Sequence, residues 1–519
     1  MKRKRALEAI EDFDGYWDVV IIGGGATGLG AAVDASARGY TTLLLEQHDF
    51  SKGTSSRSTK LVHGGVRYLR QGNVSLVLEA LHERGLLAQN APHLVRNQSF
   101  IVPIYDWWEG PFYGIGLKVY DKLAGRLGIK PSMGLSRDET LDRIPNLEPE
   151  GLRGGVLYYD GQFDDSRLAV DLARTAVQHG GTVINYMRVE GLLKTGGMVS
   201  GVRARDLEKD TELTINARVV INATGVFADQ VIAMDDPDQR SMVTPSQGTH
   251  IVLAREFLPG NVAIMVPQTT DGRVLFAVPW HDRVVVGTTD VEVDEPTLEP
   301  RALPEEVDFI LDNAASYMAK DPKRSDVLSV FAGLRPLVTA EDDEETSKIS
   351  RDHTVLVSEA GLVTIVGGKW TTYRKMAQDV VDQAAMVAGL VPHPCPTETL
   401  RIHSWLKHVD PSDPLHFYGS DAPTLRKLVQ KDRTLGEPLD ERLPVIGAQV
   451  VWAVDKEMAL TVEDVLARRT RALLLDARAS VAVAPQVAKL MARGLRKGRK
   501  WQTEQVAAYT AVASGYILD

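Results

Sequence analysis

In Asp18-Val-Val-Ile-Ile22 the residues after Asp18 form an unbroken apolar, β-branched run, which reads as a strand buried on both faces. It leads into Gly23-Gly24-Gly25-Ala-Thr-Gly28-Leu-Gly30, a helical segment over 31–38, Gly39, and a second apolar run over 42–45 ending at Glu46. The pattern over 74–96 is amphipathic and helical, with Leu76, Leu78, Leu81, Leu86 and Leu87 available for packing. An aromatic and glycine-containing segment follows (Trp107, Trp108, Pro111, Tyr113, Tyr120); ordinary packing is favoured there over a membrane-facing element. A helix over 167–179 stops at Gly180-Gly181, and short strands with turn signals run to Asn216. Residues 217–225 are another buried strand ending in a small-residue turn, Ala223-Thr224-Gly225.

From about 240 to 340 the pattern changes to strands (250–253, 262–266, 274–278, 284–286), read as a mostly antiparallel block inserted into a doubly wound α/β fold. The acidic run 341–345 reads as a solvated loop. A third strand–glycine–helix unit then appears: 362–366, Gly367-Gly368, and a helix over 371–386 with Thr371 or Thr372 as its cap. Pro392, Pro394 and Pro396 mark a linker. The remainder is mainly helical, with Thr461-Val-Glu-Asp464 as a capping box, and serves packing, dimerisation or a partner.

Composition narrows the class. The chain of 519 residues has 59 Lys+Arg against 69 Asp+Glu, and its net charge of −10 argues against a general nucleic-acid binder. The single cysteine, Cys395, excludes an internal disulfide, a Cys-rich metal site and a Cys-ligated cluster, and fits a reducing cytosol. Residues 1–5 are basic like the start of a signal peptide, but Glu11, Asp12 and Asp14 precede any apolar run. No transmembrane helix is expected, which leaves membrane contact to a surface patch.

The glycine turns carry the candidate chemistry. Gly23, Gly25 and Gly28 form Gly-x-Gly-x-x-Gly between a strand and a helix, where helix N–H groups can face a pyrophosphate. Glu46 stands at the next strand end, placed to accept hydrogen bonds from an adenosine ribose. Residues 53–60, rich in glycine and hydroxyl groups, suit a backbone wrapped around a polar ligand, as do His63-Gly64-Gly65 with Arg67 and Tyr68. The three glycine junctions (23–30, 222–225, 367–368) can converge on one edge of a parallel sheet. Enclosure by such distant segments favours FAD over NAD.

Taken together, Gly23 to Glu46, the 54–69 segment, Gly248-Thr-His-Ile251, Gly287-Thr-Thr-Asp290, Ala332-Gly-Leu-Arg-Pro336 and Gly367-Gly-Lys-Trp-Thr-Thr-Tyr-Arg-Lys375 resemble the FAD-dependent glycerol-3-phosphate dehydrogenases. The likeness runs in order from about residue 15 to 385 and continues more weakly through the C-terminal region. It implies a Rossmann-like FAD-binding domain of the glutathione-reductase/D-amino-acid-oxidase type, made of 1–85, 160–235 and 350–388. A mostly antiparallel substrate or cap domain would comprise 86–159 and 236–349, and a helical C-terminal domain 397–519. It also implies oxidation of sn-glycerol 3-phosphate to dihydroxyacetone phosphate, with hydride passing from C2 to flavin N5 and electrons to a membrane quinone. A cytoplasmic protein held peripherally at the inner (cytoplasmic) membrane, as a homodimer or otherwise, would follow, with no metal and no nucleic acid.

For a phosphorylated secondary alcohol the site needs cations at one end and a proton acceptor at the other. The resemblance places Arg351, Lys369 and Tyr68 at the phosphate, and Arg67, Arg335 and His250 around the C2 hydroxyl. His250 is the chemically easiest base, whereas Arg335 suits a developing alkoxide. Cofactor contacts fall to Gly23, Gly24, Gly25, Thr27, Gly28, Glu46, Thr54, Ser55, Ser56, Lys60, His63, Gly64, Gly65, Ala223, Thr224, Gly225, Asp290, Gly367, Gly368, Thr371 and Thr372. Rival readings are a glycerol-3-phosphate oxidase making hydrogen peroxide, an amino-acid or sarcosine-type oxidase, and a non-catalytic flavoprotein whose C-terminus binds a partner.

Overall fold

The structure is a computed structural model that describes residues 1–65, 73–107, 109–338 and 353–518. Its first sheet has eight strands, with the path His353–Val357, Val363–Gly367, Thr211–Asn222, Trp17–Ile22, Thr42–Leu45, Thr182–Ile184. The four strands from Val363–Gly367 to Thr42–Leu45 run parallel, so the turns after Ile22, Leu45, Asn222 and Gly367 leave the same edge. Val19, Val20 and Ile21 have no exposed surface, the consequence of helices covering both faces. Thr211–Asn222 also pairs antiparallel with Met198–Asp206 through its first half.

The helix after the first turn is Ala26–Ala37, starting directly at the turn rather than at residue 31. A side chain at Gly28 would bring its Cβ within 1.9 Å of the Gly23 carbonyl oxygen. At Gly30 it would meet Tyr373 and Ala377 of the helix Tyr373–Val387 at 2.9 and 3.1 Å. These two glycines therefore set how closely the helix approaches strand and neighbour, outweighing glycine's low helix propensity.

The expected helix over 74–96 ends sooner, as Val74–Asn90, and Val95–Ile104 is a strand. Pro92 is the reason: the residue before a proline is disfavoured in helical geometry, and Ala91 has left it. The aromatic segment contains the helix Glu109–Ala124, which buries Tyr113, Leu117 and Tyr120 on one side only.

The second sheet has ten strands and the path Val291–Glu292, Val243–Ala254, Arg283–Gly287, Leu275–Trp280, Val262–Val266, Val95–Ile104, Gly154–Phe163, Leu61–Val62. Its pairings are antiparallel apart from Val95–Ile104 with Val262–Val266. Val243–Ala254 is flanked by Arg283–Gly287 and Val327–Val338, bringing Gly248-Thr-His250, Gly287-Thr-Thr-Asp290 and Gly333-Leu-Arg335 side by side.

The C-terminal region packs the helices Gly447–Lys456, Ala477–Leu495 and Arg499–Ala513 around an apolar cluster shared with Val252, Trp280, Val285 and Phe331 of the second sheet, with a small hairpin, Pro438–Asp440 and Leu443–Ile446. The expected box forms at Thr461: the Asp464 N–H donates to its hydroxyl at 3.1 Å, and its own N–H donates to the Asp464 carboxylate at 3.0 Å. Buried ion pairs join this region to the first sheet's surroundings. Arg469 donates to both oxygens of Asp49 at 2.7 Å, and Arg468 adds a third contact at 2.6 Å.

Candidate active site

The three glycine turns do converge. Gly23, Gly24, Gly25 and Thr27 share one cleft with Glu46, Thr54, Ser55, Ala223, Thr224, Gly225, Gly367, Gly368 and Lys369. Met187, Val189 and Phe227 give it an apolar end beside Glu46, and Lys369 and Trp370 belong to the last strand–helix turn. The left-handed φ of +108° at Gly23 makes the tight turn, where an added Cβ would lie 2.6 Å from the Ala223 carbonyl oxygen. One Glu46 oxygen accepts the Gly24 N–H at 2.6 Å and the other the His48 N–H at 2.7 Å. Burial pushes the Glu46 carboxyl pKa upward, and these two N–H donors oppose that push. Ser55 Oγ accepts the Ala26 N–H at 2.9 Å, at the N-terminus of the helix. A long cleft with an apolar end, a ribose-height carboxylate and a glycine-lined helix N-terminus fits an adenine dinucleotide.

Several expected cofactor contacts stand behind this wall. Gly28 sets the helix–strand distance, and Ser56 Oγ donates back to the Gly53 carbonyl at 3.3 Å. Thr371 Oγ1 accepts the His63 N–H at 3.2 Å, while Thr372 sits at the start of the following helix. Gly64 donates its N–H to Tyr120 Oη at 2.8 Å. Lys60 differs most from expectation. It is fully buried, paired with Asp165 at 2.6 Å and the Ser56 carbonyl at 2.7 Å, with its ammonium 5.3 Å from the rings of Trp280 and Phe331. Burial lowers its pKa and Asp165 opposes the fall.

A second cavity is lined by Thr59, His63, Gly65, Asp160, Arg273, Thr288, Thr289, Asp290 and Arg335, with Phe100, Tyr158 and Phe276. The two spaces abut: Arg335 faces this one, and Pro336 lines the cofactor cleft. Asp290 thus belongs to the second cavity rather than the cleft. Arg335 pairs with Asp290 at 2.9 Å and donates to the Thr289 carbonyl at 2.9 Å and Thr288 Oγ1 at 3.2 Å. Ser246 Oγ donates to the same Asp290 oxygen. Gly248 is the reason a strand residue can lie here, because an added Cβ would come within 2.3 Å of Arg335 Nη2.

His250 is on the adjoining strand, buried behind Thr59. Its Nε2 and Thr59 Oγ1 share a 2.9 Å hydrogen bond, and its ring stacks on Phe331 with centroids 4.9 Å apart. Gly287 leaves room for the ring, since an added Cβ would be 2.3 Å from His250 Cδ2. Desolvation, then the charges of Arg335 and Lys60, hold the imidazole well below its ordinary pKa of 6.5. Arg67, Tyr68 and Arg351 lie outside the described residues.

Three features escaped the sequence reading. Thr59 sits inside a quoted motif, but only the fold shows it between His250 and the cavity. Arg273 follows an Asp271-Gly272 turn, a signal for a hairpin but not for a ligand, and its Nε pairs with Asp271 at 3.0 Å. Asp160 is held by Arg84 at 2.9 Å and Tyr120 Oη at 2.6 Å, residues far apart in the chain.

Comparison with known proteins agrees with this geometry. Residues 18–374 match the family of FAD dependent oxidoreductases, and residues 361–505 the C-terminal domain of alpha-glycerophosphate oxidase. A mitochondrial glycerol-3-phosphate dehydrogenase of Homo sapiens is 40% identical over 92% of this chain and 70% of its own length. The crystal structure of glycerol-3-phosphate dehydrogenase from Bacillus halodurans complexed with FAD superimposes with a TM-score of 0.81 and 29% identity, covering 99% of this chain and 98% of that one. L-alpha-Glycerophosphate oxidase from Mycoplasma pneumoniae, 17% identical, shares the fold with a TM-score of 0.58 over 76% of this chain and 100% of its own. A dinucleotide cleft opening beside a cation-bearing cavity, in a sequence this close to those relatives, means that the chain belongs to the FAD-dependent glycerol-3-phosphate dehydrogenases.

Proposed function

We propose that this protein oxidises sn-glycerol 3-phosphate to dihydroxyacetone phosphate and passes the electrons to a membrane quinone. The observation that carries the reading is Arg335, fixed by Asp290 and two threonines in a cavity wall directly beside the cofactor cleft. FAD, when bound, supplies the two-electron oxidant that accepts hydride from C2. Gly23, Gly24, Gly25, Ala223 to Gly225 and Gly367-Gly368 would hold it, with Glu46 at the ribose.

The remaining chemistry belongs to side chains. Arg335, already oriented, stabilises negative charge developing on the C2 oxygen. Thr59 receives the hydroxyl proton and hands its own to His250 Nε2 across their 2.9 Å hydrogen bond. His250 is neutral at pH 7, its pKa lying well below 6.5, and so can accept. Such a base is weak, and Arg335 compensates by acidifying the hydroxyl it touches. Lys369 and Arg273 supply cations for the phosphate among the described residues; from the family motifs Arg351 and Tyr68 are assigned with them, and Arg67 to the C2 hydroxyl. A quinone acceptor, dissolved in lipid, calls for contact with a membrane surface, and we place the enzyme there.

The test is anaerobic addition of glycerol 3-phosphate to the purified flavoprotein, followed by reoxidation. Bleaching of the flavin and fast reoxidation by a quinone analogue are expected. No bleaching removes the catalytic reading. Reoxidation by O₂ with one peroxide per flavin, and none by quinone, replaces the dehydrogenase with an oxidase.

A further inference from the structure

The ribose end of the cofactor cleft is walled by residues 46–55, and that segment has two sides. Glu46, Gln47, His48, Ser51 and Lys52 line the cleft, whereas Asp49 and Phe50 are outside its lining and have no exposed surface. Behind the segment the C-terminal region supplies cations. Arg469 donates to both Asp49 oxygens at 2.7 Å, and Arg468 Nε donates to one of them at 2.6 Å. Arg468 is itself held by Glu463 and Asp464, each at 2.7 Å, and Arg469 by the Glu457 carbonyl at 2.9 Å. A further tie starts on the cleft side, where Lys52 Nζ donates to Glu463 at 2.8 Å.

Neighbouring residues of an ordinary helix point about 100° apart. Asp464–Arg469 is instead a wide turn, in which the Thr470 N–H donates to the Val465 carbonyl, five residues back, at 2.9 Å. The consecutive side chains of Arg468 and Arg469 meet one carboxylate there. Stability alone does not call for this cluster, because apolar side chains would join the two regions at least as firmly. What a bidentate pair adds is a fixed register.

That register matters at Ser51. Its φ of +60° lies in the left-handed region, which serine adopts at a cost. Its N–H donates to the Gly24 carbonyl at 2.9 Å, and the Gly24 N–H donates to Glu46, so the segment is tied to the glycine turn on its cleft side. The Ser51 side chain lines the cleft, yet the residue is 1% exposed and its Oγ has no hydrogen-bond partner among the described residues. A buried hydroxyl so placed is available to a ligand in the cleft.

We propose that Asp49, Arg468 and Arg469 are positioning residues for FAD: through them the C-terminal region holds residues 46–55 against the adenosine half and presents Ser51 Oγ to it. No described residue beyond 376 lines the cleft, so the C-terminal helices act on the cofactor only through this segment. The inference rests on the placement of Glu46 at the ribose, and on neither the substrate nor the electron acceptor.

The experiment strips flavin from the purified full chain and titrates FAD, ADP or FMN back, read by flavin fluorescence or by competition. Arg469→Lys keeps the buried charge but loses the fork that spans both Asp49 oxygens. It should weaken FAD at least about tenfold and ADP by the same factor, and leave FMN unchanged. Arg468→Lys is the second variant and should act in the same direction. Ser51→Ala should weaken FAD and ADP about three- to tenfold. At saturating FAD all three variants should turn over within about twofold of native. The gain in Tm on adding FAD should shrink in the lysine variants. A Tm lowered equally with and without FAD would make the pairs merely structural and overturn the proposal. So would native FAD affinity in both lysine variants or in Ser51→Ala, and these results leave the Glu46 placement standing. Weakened FMN with unchanged ADP would overturn the proposal and the Glu46 placement together.

Discussion

At Arg335 the guanidinium is oriented before any substrate arrives, because Asp290 and the Thr288-Thr289 segment occupy its other edges. Arg335→Ala should therefore lower kcat/KM for glycerol 3-phosphate by about 10²–10³-fold, roughly 2.7–4 kcal/mol, with bound flavin retained. A loss below about tenfold would remove it from the chemistry. Thr59 separates two accounts of the base. If the proton passes through its hydroxyl, Thr59→Val should cut kcat by about 10²-fold and Thr59→Ser should restore most of it. Equal turnover in the valine and serine variants would show that His250 and Thr59 only pack together. His250 stands out by type and Thr59 does not; the relay depends on a hydrogen bond between positions 59 and 250.

At the scale of elements, the strand–turn–helix unit from Trp17 to Ala37 is unusually readable because local and tertiary demands coincide. A fully covered parallel strand must be apolar throughout, and a helix pressed onto its own turn must have glycine at 28. Gly28→Ala forces its Cβ against the Gly23 carbonyl. It should yield protein purified with little flavin and a Tm lowered by several degrees, measured by absorbance and thermal unfolding. Full flavin loading at an unchanged Tm would contradict the close approach. In the second sheet the glycines at 248 and 287 clear space for Arg335 and His250, side chains contributed by or facing other strands. That relation depends on sheet register and is invisible in either motif alone.

At the scale of the whole molecule, buried neutral histidines set the acid limit. Burial first, and then nearby cations, lower His48 and His281 to about 4, and burial first likewise holds His416 below and His250 well below 6.5. Unfolding frees each to take a proton near pH 6.5, so the unfolded state binds more protons below that pH. Stability should be level above about pH 7 and fall as pH drops from 6.5 toward 4. His281 alone accounts for about 2 kcal/mol by pH 5. The depressed carboxyls Asp49 and Glu463, both near 2, behave oppositely. Their contribution is complete above the ordinary carboxylate range and is lost only as pH falls toward 2. Urea unfolding at pH 7.5, 6 and 5 checks this: a constant midpoint over that range would mean the histidines are charged in the fold.

The nucleotide-binding half was legible in the chain because its determinants are local. An apolar run, a glycine spacing and a terminal Glu46 each report a backbone need within a few residues, and three such units in order specify a common sheet edge. The helix end at Asn90, set by Pro92, falls short of the expected 96, because apolar periodicity alone does not mark where a helix stops. Tertiary structure alone decided that Lys60 is buried under the site, that His250 sits behind Thr59, and that Arg273 and Asp160 share a cavity with Arg335. It also decided that one face of Glu109–Ala124 stays uncovered. The physical reason is the same in each case: charge, burial and exposure depend on which distant strands become neighbours, and no spacing along the chain encodes that by itself.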